Sequence, residues 1–293
     1  MIDLSLTEIA TAVSGRLVLG GSDTAETIVN GYVDTDSREI TPGDIFVAKP
    51  GEVTDGHLYA PKAVQAGAVL CIVERELELS VSQIVVENSV VALGDLAREV
   101  ITRVKALGKL TEIAVTGSNG KTTTKNLLRE IFSARGETVA PIASFNNEVG
   151  APITFCRATE NTDTLIAEMG ASAPGEIRRL IKMAKPDVGI VLTVGLAHAG
   201  EFGGIETTLR SKTEMVEDLG PEDWAVLNRD DARVASMADK TKAQILWFGR
   251  GDDADVRASD VETSIDGTSF TMHLPGQEPV RVQFAVIGEH HVV

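Results

Sequence analysis

Apolar residues recur along this chain with two different periods, and the texture changes twice. Residues 6–13 follow helical spacing, opened by Ser5 and broken by Gly15. Short runs of strand character follow at 28–33, 44–48 and 68–73, separated by Gly, Pro and Asp. A helix-like stretch at 61–67 leads into the last of them. Val91, Leu93, Leu96, Ala97, Val100, Ile101, Val104 and Leu107 then predict one long amphipathic helix over 88–107, ended by Gly108. The residues just before it, 85–88, are expected to be a hinge. Residues 1–83 therefore read as a small α+β domain.

From residue 111 onward strands alternate with helices. Strands are expected at 113–116, 165–168, 188–194, 224–227 and 244–248, and helices at 122–134, 174–184, 209–219 and 232–238. Strands this continuously apolar, each followed by a helix, imply a parallel sheet covered on both faces. After Gly251 the pattern becomes β-rich, with strands at 261–265, 269–274 and 280–286 and an Asp266-Gly267 turn. The predicted fold class is α/β. A small α+β domain (1–83) precedes a mostly parallel-sheet domain (84–293) with a β-rich end.

A chain of 293 residues, 43% of them hydrophobic, is long enough for two domains that each bury a core. A net charge of −16 argues against a nucleic-acid partner, which needs clustered cations. The charge does not exclude a small phosphorylated ligand, which a few amides, one lysine and a metal ion can hold. Cys71 and Cys156 lie in separate apolar contexts and read as small buried hydrophobes in a reducing compartment. The longest apolar stretch, 188–199, is shorter than the roughly 20 residues a membrane span needs. Residues 1–5 carry no basic, signal-like start. The expectation is a cytoplasmic monomer without a membrane partner.

The densest chemistry lies in Gly117-Ser118-Asn119-Gly120-Lys121-Thr122-Thr123. A buried strand ends, two glycines turn the chain, and a Lys-Thr pair opens a helix. Glycines permit positive φ and close approach of backbone amides to an anion, and the helix N-terminus adds partial positive charge. Lys121 reaches the outer phosphates of a nucleoside triphosphate, and the Thr122 hydroxyl suits Mg²⁺. Val115 stands where the common form of this phosphate loop has its first glycine. The loop alone does not distinguish a kinase, a GTPase, a motor or a ligase.

The segment from Thr116 to Thr123 resembles the shortened phosphate loop of the Mur ligases, which extend the peptide of bacterial cell-wall precursors. Further segments resemble that family in order: Asp36-Ser37-Arg38, Asp55-Gly56-His57, Asn146-Asn147 through Pro152, and Glu168-Met169-Gly170-Ala171. Ala197-His198 with Glu201-Phe202-Gly203, then Ser211-Lys212, Asn228-Arg229-Asp230-Asp231 and Gly288-Glu289-His290-His291, complete the set. Asn146-Asn147 and Glu168 to Ala171 are most similar to the members that add D-alanyl-D-alanine to UDP-N-acetylmuramoyl-tripeptide. The sibling that adds the diamino acid, and a nucleotide-binding fragment that is inactive by itself, are the alternatives. Family members carry a third, C-terminal domain. The resemblance implies that a sequence stopping at Val293 ends before it and turns over poorly alone.

The resemblance implies an ATP-dependent amide ligation through an acyl phosphate. It assigns ATP to residues 117–123 with Asn228 at the adenine, and catalytic roles to Lys121, His198 and Lys212. It places Mg²⁺ at two sites, through Thr122, Glu168, His198 and Lys212, with a carbamylated Lys212 in the second. Ser37 and Arg38 take the UDP end of the precursor, and Asn146 and Asn147 its carboxylate or the γ-phosphate. Read without the resemblance, each has a plainer role. Glu168 is a strand-end acid, and His198 a structural histidine. Lys212 becomes an exposed lysine paired with Glu214 or Glu217, Asn146-Asn147 a turn, and Arg38 a surface partner of Asp34 or Asp36. Asp230 and Asp231 are expected as helix caps, and His57 as structural.

Overall fold

Ser5 starts the first helix, α1 (Leu6–Ala12), by a reciprocal cap. Its hydroxyl accepts from the Glu8 amide while the Glu8 carboxylate accepts from the Ser5 amide at 2.8 Å. The structure, a computed structural model, describes residues 1–51, 54–141, 145–195, 204–289 and 292. The chain forms two compact units: residues 1–111, 132–165 and 182–184, and residues 112–131, 166–181 and 185–293.

In the first unit, β1 (Leu4–Ser5) pairs antiparallel with β3 (Ile28–Val29). A five-stranded sheet runs β2 (Arg16–Val18), β7 (Ser82–Val85), β6 (Leu70–Val73), β5 (Ile45–Val47) and β4 (Val33–Asp34). Only β2 is antiparallel to its neighbour. The expected single strand at 28–33 is thus two, because the chain changes sheets between Val29 and Val33. Asp44 fixes that crossover by accepting from the Tyr32 amide at 2.8 Å. Helix α2 (Ala60–Ala66) packs Ala60 and Ala63 into a core with Phe46, Cys71 and Val73.

Val85 and Val86, in the stretch expected to be a hinge, are bonded to β6. Val85 pairs with Val73 in the sheet, the Val86 amide donates to the Val73 carbonyl, and Ser89 donates twice to Glu74. Asn88 caps α3 (Ser89–Ala106) through the Val90 and Val91 amides. The buried stripe of α3 is narrower than its apolar pattern: Val91 and Leu107 are exposed, whereas Leu93, Leu96, Ala97, Val100 and Val104 are buried.

A nine-stranded sheet follows. It is built from β8 (Thr111–Thr116), β9 (Glu137–Val139), β10 (Thr162–Glu168), β11 (Val188–Val191), β12 (Trp224–Asn228), β13 (Gln244–Gly249), β14 (Val256–Ser264), β15 (Gly267–His273) and β16 (Val280–Phe284). Its order is β16-β15-β14-β13-β12-β11-β8-β10-β9. The pairs from β8 through β11, β12 and β13 to β14 are parallel, and β14–β15–β16 is the expected antiparallel β-rich end. The mixed α/β class with a mostly parallel sheet is therefore as the pattern predicts. The helices of this part are α4 (Lys121–Ser133), α5 (Gly150–Phe155), α6 (Glu176–Ala184), α7 (Ile205–Glu217) and α8 (Ala232–Ala235). The sequence pattern missed α5, whose six residues are all buried and carry no amphipathic stripe. Strand β11 stops three residues short of the expected 194, because Thr193 turns toward the glycine loop instead of a neighbouring strand.

Both cysteines are buried and free, and burial pushes each thiol up to about 12, so neither is a nucleophile at neutral pH. Among the described residues no helix is long and apolar enough to cross a membrane.

Candidate active site

Strand β8 ends at Thr116, whose hydroxyl donates to the Met169 carbonyl at 2.8 Å, and α4 begins at Lys121. Gly120 sits at φ +85°, a left-handed conformation that a side chain would strain. At Gly117 a Cβ would lie 2.9 Å from Cβ of Leu192, so the turn packs directly on the chain leaving β11. That chain clasps the loop. The Ser118 amide donates to the Thr193 carbonyl at 2.9 Å, the Asn119 amide to the Thr193 hydroxyl at 3.3 Å, and the Gly195 amide to the Ser118 hydroxyl at 2.8 Å. Asn119, Gly120, Thr122 and Thr123 remain exposed. The first amides of α4, as at any helix start, have no acceptor within the helix.

Lys121 lies back across the turn and donates to the Gly117 carbonyl at 2.7 Å. Burial lowers its pKa, and the charge of Glu168 opposes that shift. Glu168 ends β10 and is buried. The structure adds Lys125, one turn along α4, which is fully buried and also feels Glu168. Its signal in the sequence is the four-residue spacing from Lys121, which puts both on one helix face.

Lys212 on α7 is buried, with 5% of its surface exposed. Its pKa falls from 10.5 to about 8, chiefly by desolvation and secondly by the charge of Lys121. The exposed lysine paired with Glu214 or Glu217 is not what forms. Glu214 instead accepts from the Gly175 and Arg178 amides at 2.6 and 3.0 Å, and Glu217 pairs with the Arg178 guanidinium. The structure thus brings together Lys121, Lys212 and Glu168, on three different elements. His198 lies outside the described residues, as do Ala197, Glu201, Phe202, Gly203, His290 and His291.

The other expected residues have defined local roles. Asn228 is buried; its amide donates to the Leu192 carbonyl at 2.9 Å and its oxygen accepts from the Asp230 amide. Asp231 caps α8 and accepts from the Val194 amide at 2.8 Å. Asp230 is not a helix cap. Its carboxylate accepts from the Arg250 and Gly251 amides and closes the turn after β13. Asn147 accepts from the Val149 and Gly150 amides at the start of α5. Asn146 precedes it in the chain.

In the first unit Ser37 and Arg38 line a polar cleft of about 500 Å³ with Lys49, Thr54, Tyr59 and Lys62. Ser37 is buried, and Arg38 is exposed and paired with Asp36 at 2.5 Å, which holds Asp36 at about 2. His57 is structural. Its Nε2 accepts from the Glu74 amide at 2.8 Å, which leaves Nδ1 to donate to Asp55 at 2.6 Å.

The donor set suits Mg²⁺. Glu168 and Thr122 offer hard oxygen ligands, and among the described residues no group of three or more His, Cys, Asp or Glu forms an all-protein cage. Mg²⁺ takes few protein ligands of this kind and completes its shell with waters and phosphates.

Fold and site together define a mixed α/β protein with a glycine-rich strand-to-helix turn of the type that cradles an anion beside buried lysines. Residues 115–293 match the Mur ligase middle domain, and residues 32–113 the Mur ligase family catalytic domain. The chain belongs to the Mur ligase family. It is 38% identical, across its whole length, to a UDP-N-acetylmuramoyl-tripeptide–D-alanyl-D-alanine ligase of Mycobacterium leprae, and spans 63% of that protein. The crystal structure of MurF from Acinetobacter baumannii superposes with a TM-score of 0.88 at 32% identity, covering 99% of this chain and 62% of that one. MurF from Thermotoga maritima in complex with ADP gives a TM-score of 0.75 at 30% identity, over 87% of this chain and 58% of that one.

Proposed function

We propose that this chain is the precursor- and nucleotide-binding part of an ATP-dependent ligase that adds D-alanyl-D-alanine to UDP-N-acetylmuramoyl-tripeptide. The carrying observation is Lys212, buried and lowered to about 8 in the field of Lys121. Such a ligase must bring a carboxylate against a triphosphate. Two unit anions 4 Å apart repel by about 4 kcal/mol at an effective dielectric near 20, so cations have to be concentrated between them. Lys121 and the first amides of α4 meet that need, and ADP in the Thermotoga maritima relative supports a nucleotide here.

In this reading residues 84–293 hold ATP, with the phosphates on 117–123 and the adenine near Asn228. Residues 1–83 hold the UDP end of the precursor in the Ser37–Arg38 cleft, where a freed guanidinium pairs with a diphosphate. The Asp36 pairing is the resting state of Arg38. Asn146 and Asn147 face the precursor carboxylate, and the transferred phosphate leaves as the dipeptide amine displaces it. Mg²⁺ would be held by Thr122 and Glu168, and neutralises phosphate charge when bound. A second ion would draw on His198 and Lys212. Carbamylation needs a neutral amine, and a lysine lowered to about 8 supplies far more of it at neutral pH than an ordinary one. The reading places the chain in the cytoplasm.

Phosphate release tests the reading, with ATP, UDP-tripeptide and D-alanyl-D-alanine supplied together and singly, and with the C-terminal part of a relative added in trans. Release only with all three supports it. Release with a diamino acid and the shorter precursor instead would assign the sibling activity.

A further inference from the structure

We propose that Glu214 is a positioning residue for the ligase site. Its buried carboxylate locks α7 in the register that turns Lys212 toward Lys121. The inference rests on the reading of Lys121 and Lys212 given above.

Helix α6 begins after Gly175, which has no side chain with which to cap it. The missing acceptor comes from 39 residues along the chain. Glu214 accepts from the Gly175 amide at 2.6 Å and the Arg178 amide at 3.0 Å, one with each carboxylate oxygen. These are charge-assisted bonds to a helix N-terminus, stronger than neutral ones and favoured by the helix dipole. The carboxylate is buried, with 4% of the residue exposed, so the bonds do not exchange with water.

Lys212 and Glu214 are two residues apart on α7, about 200° around the helix, and project to opposite sides. Fixing Glu214 on α6 therefore fixes the direction in which Lys212 leaves α7. One turn further on, Glu217 and Asp218 pair with the Arg178 side chain and reinforce the same face, but both are partly exposed and contribute little. A single buried carboxylate thus ties α7, which carries Lys212, to the start of α6, the helix that follows the Glu168 strand in the chain.

Glu214→Gln keeps the shape but turns an NH₂ group toward one of the two amides, and Glu214→Asp is too short by one methylene. Glu217→Gln serves as the control. With ATP, precursor and dipeptide, and the C-terminal part of a relative added in trans, kcat of the Glu214 variants should fall by about tenfold to a hundredfold, as expected when a reacting geometry moves by an ångström. KM for ATP should stay within about twofold, and Glu217→Gln should match wild type. A second readout needs no turnover: the Lys212 NMR signal after reductive [¹³C]methylation, assigned by its loss in Lys212→Arg. It should move in Glu214→Gln and Glu214→Asp and stay in place in Glu217→Gln. A folded Glu214→Gln protein with an unmoved Lys212 signal, or with lower thermal stability but wild-type kcat, overturns the inference. A wild-type protein that releases no phosphate even with that C-terminal part supplied, while its Lys212 signal still depends on Glu214, overturns the ligase reading alone.

Discussion

Lys121 and Lys212 sit close enough that the charge of one depresses the ionisation of the other, although they are 91 positions apart and on different helices. Neither ammonium is at ease: burial lowers both. Like charges gathered out of water are a cost that folding alone does not explain, and they mark a place prepared for anions.

The Lys212 shift makes stability depend on pH. Its folded pKa, about 8, lies below the unfolded 10.5. Between those values the unfolded chain binds more protons, so the lysine's unfavourable contribution shrinks as pH rises from about 8 to 10.5 and is fully present below 8. Lys212→Met removes that contribution. Denaturant unfolding at pH 7 should find the variant more stable, by at most about 3 kcal/mol. The gap from wild type should close by pH 10.5. An equal difference at both pH values contradicts the assignment.

Gly120→Ala should cripple nucleotide binding out of proportion to its effect on the fold. The φ of +85° costs a side chain about 1–2 kcal/mol, and the added carbon meets Cδ1 of Leu192 at 3.2 Å. Calorimetric titration with ATP and Mg²⁺ should show at least tenfold weaker binding, with a loss of stability no greater than that strain.

Arg38→Ala tests the cleft in the first unit. The pair with Asp36 is exposed and contributes little to stability, so melting should hardly change. Affinity for a UDP-sugar should fall about tenfold or more, and ATP affinity should not. A shift in both affinities would mean that the cleft does not act alone.

His57→Ala should do the reverse. The imidazole is 2% exposed and joins the Glu74 amide to Asp55. Its loss leaves a buried donor unmatched and costs about 1–3 kcal/mol of stability, without changing the affinity of folded protein for ATP. Chemical denaturation and calorimetry separate the two.

Much of this was legible in the chain. The long helix ending at Gly108, the alternation after residue 111 and the β-rich end follow from periodicity, because each element buries its own face. The glycine loop was legible because its chemistry is local. What escaped depends on neighbours distant in sequence. Residues 85–88 look like a linker until β6 is beside them. Thr193 clasps the loop only because β11 lies next to β8, and that order is not written in either strand. Glu214 reads as a surface acid until Gly175, with no cap of its own, is found against it. Lys212 was legible by resemblance, while its burial was not: α7 places Lys212, Thr213 and Glu214 all in the interior.

If the turn formed by residues 117–122 grips a triphosphate, a crystal structure with a non-hydrolysable ATP analogue and Mg²⁺ should show it. Phosphates should lie on the amides of Gly120, Lys121 and Thr122, with Lys121 moved from the Gly117 carbonyl to the outer phosphates. Phosphates bound elsewhere, with Lys121 still on Gly117, would rule that grip out.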